Sequence, residues 1–187
     1  MELLWFVDRA TALVAYPALY VAVLTGIFYN SPSFGVLHEL SREVHVELAA
    51  FATIVTLGHG VVGVADSAAV LTGAVPAPAI PLSYFVAGAL VGAGALLLVI
   101  VAVLGFLDAR RFERPWGPRV VHAFAYGGFA FATVHAAAVG TDVGAGGSVG
   151  LVAGLAVLAF VLVVRLLVET GIIVGPEDRD QSDARTP

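Results

Sequence analysis

Four of the five histidines in this 187-residue chain sit in two pairs inside apolar stretches, His45 with His59 and His122 with His135. The steps are 14 and 13 residues. An ionisable side chain within a lipid-crossing segment is costly and marks a functional site by default. Imidazole ligates haem iron, zinc and copper, and it also carries protons. A zinc site wants three or four ligands close together; each level here offers two histidines, and the chain has no cysteine. Two imidazoles from facing helices suit one haem iron, one on each axial side. The pattern therefore points to two bis-histidine haems stacked across a bilayer, with a proton relay as the other chemistry these residues could serve.

Such stacking needs membrane helices, and the composition calls for them. Hydrophobic residues make up 59% of the chain and charged residues 12%, about half the charged share of soluble domains, and the mean hydropathy is +0.96. All the basic residues are arginine, no basic stripe favours nucleic acid, and the absence of cysteine excludes disulfides, thiolate haem ligation and iron–sulfur clusters on this chain. The net charge of −5 owes much to an acidic tail. The Met-Glu start has no basic leader, so no cleavable signal peptide is expected.

A helical span needs about 20 mostly apolar residues. Five stretches meet that length: about 10–28, 44–64, 82–107, 120–139 and 149–167. Their continuous rather than alternating apolarity favours helices over a barrel. The expected fold is an all-α, five-span, haem-binding bundle over residues 1–170, followed by a polar, disordered tail from 171 to 187. Arg42 lies between spans one and two, and Arg110, Arg111, Arg114 and Arg119 lie between spans three and four; the loops on the other face carry no basic residue. By the positive-inside rule the arginine face is cytoplasmic, which puts the N-terminus outside and the C-terminus inside a multi-pass cell-membrane protein. Arg9 is a mild exception.

Spans two and four then run parallel. His45 and His122 share a cytoplasmic level, and His59 and His135 an outer one, about 20 Å away at 1.5 Å per residue. A step of 14 returns to nearly the same helix face, whereas a step of 13 turns His135 about 140° from His122 at 100° per residue. Either a π-bulge, for which Gly127 and Gly128 leave room, or two different ligand azimuths would resolve this. Arg42 and Arg119 each precede an inner histidine by three residues and could bind haem propionates; they serve equally well as positive-inside anchors. Asp66 and Asp142 each follow an outer histidine by seven, as an outer cation or substrate site or as solvated loop acids. Phe129 lies between the levels, either filling the space between haems or packing as an ordinary aromatic. His38 reads as interfacial, and Glu47 as a partner for arginine or water, or as a proton or quinol site.

This pattern resembles the ferric reductase-like transmembrane domain, a family that includes NADPH oxidases, ferric reductases and the haem-binding membrane subunit of the methionine-sulfoxide reductase system. The resemblance rests on the four histidines and their 14 and 13 steps over residues 10–170. It implies two b-type haems, with His45 and His122 ligating the inner iron and His59 and His135 the outer, and the step of 13 is itself a family feature. Family members usually have six spans rather than five. With about 20 residues after the last span, no flavin or nicotinamide domain fits, so electrons are expected from a separate cytoplasmic protein or from quinol. The stand-alone haem subunits are the nearer analogue, and the chain is expected to relay electrons, in a homo- or hetero-oligomer or alone, with no catalytic residues of its own. A cytochrome b561-like carrier and a non-redox, proton-coupled transporter are the competing readings.

Overall fold

The computed structural model describes residues 2–76, 81–111, 113, 115–140 and 148–172. It is all helical: α1 (Glu2–Tyr29), α2 (Val36–Leu71), α3 (Leu82–Arg111), α4 (Gly117–Val139) and α5 (Ser148–Glu169). Each contains a segment long and apolar enough to cross a membrane, making five among the described residues. Lipid demands this form, because a helix satisfies its own backbone while presenting apolar side chains outward.

The helices outrun the apolar stretches that signal them. Helix α1 begins eight residues before the apolar run at Ala10 and so includes Asp8 and Arg9. Helix α2 has 36 residues, about 54 Å at 1.5 Å per residue, and exceeds a hydrocarbon core of about 30 Å. Asp66 therefore lies on α2, not in a loop. The expected tail from 173 onward, Asp142 and Arg114 lie outside the described residues.

The α1–α2 connection follows from its residues. After Tyr29, Asn30 Nδ2 donates to the Gly26 carbonyl at 2.9 Å, and the buried Ser31 Oγ donates to the Ile27 carbonyl at 2.8 Å. These side chains satisfy carbonyls that the helix end leaves orphaned. Pro32–Phe34 form a 3-10 turn, and Gly35 at φ 55° reverses the chain into α2, a left-handed backbone that glycine adopts at no steric cost. His38 Nδ1 lies 3.1 Å from the Phe28 carbonyl. That histidine serves the hairpin's end, which explains its place near the start of α2.

Two antiparallel hairpins, α1–α2 and α3–α4, form the bundle and meet along α2–α3 and α1–α4. This cyclic order sets α2 diagonally across from α4. Small residues allow close approach within the second hairpin, as is common between membrane helices: a methyl on Gly128 would sit 3.2 Å from Val99, and one on Gly94 would sit 3.0 Å from Phe131. The core is thin, with Ala15, Ile27, Ala52, Ala95, Val99, Ala102 and Phe129 buried among these helices. Helix α5 leans on α1 where Tyr20 Oη donates to the Gly154 carbonyl at 2.8 Å.

Candidate metal centre

The four span histidines come together as two cross-bundle pairs. His45 of α2 faces His122 of α4 with ring centroids 6.3 Å apart and planes 18° from parallel. His59 faces His135 at the same 6.3 Å, with the planes tilted by 55°. The pairs sit about 20 Å apart along α2 at 1.5 Å per residue. Helix α4 is α-helical throughout 117–139, with no π-bulge, so the step of 13 is absorbed by different azimuths. His135 leaves α4 on the α3 side, against Gly88 and Gly92.

In every ring, Nδ1 faces an acceptor. His122 Nδ1 is 2.6 Å from the Pro118 carbonyl, and His135 Nδ1 is 2.8 Å from the Gly88 carbonyl. A carbonyl only accepts, so both rings carry the proton on Nδ1. His45 Nδ1 lies 3.1 Å from Thr25 Oγ1, whose own proton goes to the Val21 and Ala22 carbonyls. His59 Nδ1 lies 3.2 Å from Asp8 Oδ1 and 3.4 Å from Thr11 Oγ1, and the Thr11 proton goes to the Val7 and Asp8 carbonyls. Each hydroxyl is thus left to accept. A neutral ring in each of these four places would carry its proton on Nδ1 and leave the lone pair on Nε2. This is the arrangement of a metal-ligating histidine, oriented by an acceptor on its other nitrogen.

Glycines on neighbouring helices let the rings fit. A Cβ on Gly26 of α1 would lie 3.1 Å from His45 Cε1, and one on Gly92 of α3 would lie 2.8 Å from His135 Nδ1. Between the levels, the buried Phe129 stacks on Tyr16 at 5.8 Å and lies 6.4 Å from Tyr20. Tyr16 Oη and Thr133 Oγ1 are 3.2 Å apart. Arg42 and Arg119 are exposed, one turn beyond His45 and His122. Among the described residues no three His, Cys, Asp or Glu side chains cluster as a metal site.

A family described as Domain of unknown function (DUF8596) matches residues 3–142, three-quarters of the chain. The chain belongs to that family. The match takes in both histidine pairs and the four helices that orient them, and it stops before α5. Comparison with curated proteins gave no match, and neither did comparison with solved structures.

Sequence reasoning missed Asp8, Thr11, Thr25, Gly26, Gly88 and Gly92, which orient the rings from α1 and α3. Asp8 carried a signal, as an acid two residues before an apolar run. The threonines and glycines carried none, because their roles arise from which helices pack together.

Proposed function

We propose that this protein is a membrane b-type cytochrome that moves electrons across the bilayer through two bis-histidine haems. His45 with His122 would hold one haem, and His59 with His135 the other. The observation that carries this reading is the shared geometry of the pairs: four Nε2 lone pairs, each with its Nδ1 anchored, and an identical ring spacing. Two metal–nitrogen bonds of about 2.0 Å, plus about 1.1 Å from each Nε2 to its ring centre, span about 6.2 Å; both pairs measure 6.3 Å. Bound haem would supply a one-electron couple at each level.

The chain's own residues do the rest. Thr25, the Pro118 and Gly88 carbonyls, and Asp8 with Thr11 hold the rings in one tautomer. Gly26 and Gly92 make room for them. Tyr16, Tyr20 and Phe129 set the levels apart without placing a charge between them. Arg42 and Arg119 stand where propionates would reach them. The histidine pattern supports kinship with the ferric reductase-like transmembrane domain, and arginine placement supports a cytoplasmic His45–His122 end. Electrons would then pass between a separate cytoplasmic donor or quinol and an outer acceptor, with this chain as the electron-transfer subunit.

The test is the visible spectrum of the purified full chain, oxidised and then reduced with dithionite. The expected result is a low-spin b-type spectrum with about two haems per chain. A colourless protein from haem-replete cells would overturn the reading.

A further inference from the structure

Resting on that reading, we propose that Asp8 is a positioning residue that makes the two centres electrically unequal, holding the His59–His135 centre at a lower reduction potential than the His45–His122 centre. The two ends differ in what stands behind the ligands. At the His45–His122 end the Nδ1 acceptors are neutral, a threonine hydroxyl and a backbone carbonyl. At the other end, His135 also meets a neutral carbonyl, but His59 meets a carboxylate at 3.2 Å.

That contact is built into the fold. Asp8 reaches His59 from α1, and both side chains are mostly shielded, at 27% and 21% exposure. Gly63, one turn beyond His59 on α2, leaves the space, since a methyl there would lie 3.3 Å from Asp8 Oδ1. This oxygen is buried and has no hydrogen-bond partner, so its negative charge is felt at His59 through proximity alone. A negative charge 3.2 Å from a ligating imidazole, in a shielded place where screening is weak, favours the more positive metal. It therefore lowers the potential of that centre. Arg42 and Arg119, one turn beyond His45 and His122, act in the same direction by favouring the reduced metal at the opposite pair. An electron would therefore rest on the arginine side, and its passage from a cytoplasmic donor to an outer acceptor would include one uphill step between the centres.

The test is a spectroelectrochemical titration of the full chain in lipid nanodiscs, compared with Asp8→Asn, Asp8→Glu and His135→Ala. The wild type should titrate in two one-electron steps, and His135→Ala should lack the lower one. Asp8→Asn should raise the lower step by about tenfold in its equilibrium constant, about 59 mV for one electron, and leave the upper step in place. Asp8→Glu should restore most of the difference. If Asp8→Asn sheds one haem, Asp8→Glu decides: a retained low step supports the proposal, and a step merged with the upper one overturns it. Two haems whose lower step does not respond to Asp8→Asn, or an upper step that moves instead, would overturn the inference and leave the cytochrome reading standing. A wild type without haem would overturn the cytochrome reading itself.

Discussion

The His45–His122 and His59–His135 pairs share one ring spacing but are built differently. The first is held by neutral acceptors, with one ring bonded to its own helix through the Pro118 carbonyl and the other to Thr25 of α1. The second is held from two other helices, with α1 supplying Asp8 and Thr11 to His59 and α3 supplying Gly88 to His135. The near-parallel pair thus takes one anchor from its own helix and one from α1, whereas both anchors of the tilted pair come from other helices. A single spacing can therefore be reached by two routes, and only one of them places a carboxylate beside a ligand.

The contrast can be broken most strongly at the histidines. Replacing His59 or His135 with alanine should remove one haem of two and leave the other, read as haem per chain. Loss of both, or of neither, would dissolve the distinction between levels. Phe129→Ala should act on the two levels alike, costing about 3 kcal/mol or more as a large-to-small core change and lowering the thermal midpoint of the haem spectrum without selecting one centre. The glycines sharpen the comparison further. Gly92→Ala places a methyl 2.8 Å from His135 Nδ1, against 3.1 Å from His45 Cε1 for Gly26→Ala. Gly92→Ala should therefore lower haem occupancy at its own level more than Gly26→Ala does. Thr25→Val should have the smallest effect, about 1 kcal/mol for one lost hydrogen bond, seen as a slight broadening or shift of the His45–His122 signal alone.

Much of the fold was legible in the sequence because lipid imposes a length and a composition that apolar runs display directly. All five stretches lie on helices. Their ends were less legible, since a helix continues past the apolar run as long as its backbone remains bonded. Asp8 precedes one apolar run and Asp66 follows another, yet both lie on helices. The histidines stood out because ionisable groups are rare in such segments. His38 resembled them by type alone and is explained by the end of α1, where its Nδ1 meets the Phe28 carbonyl. The azimuth of His135 could not be chosen from the step of 13; the fit against Gly88 and Gly92 decides it, and that fit depends on how α3 packs on α4.

The most direct test of two unlike bis-histidine centres is low-temperature electron paramagnetic resonance of the oxidised full chain. Near-parallel and strongly tilted imidazole planes split the ferric d-orbitals differently, so planes at 18° and 55° should give two distinct low-spin signals of equal spin count. The signal of the tilted pair should be the more anisotropic, and it alone should vanish in His135→Ala. A chain with no ferric haem signal, or with only a high-spin one, would contradict the account.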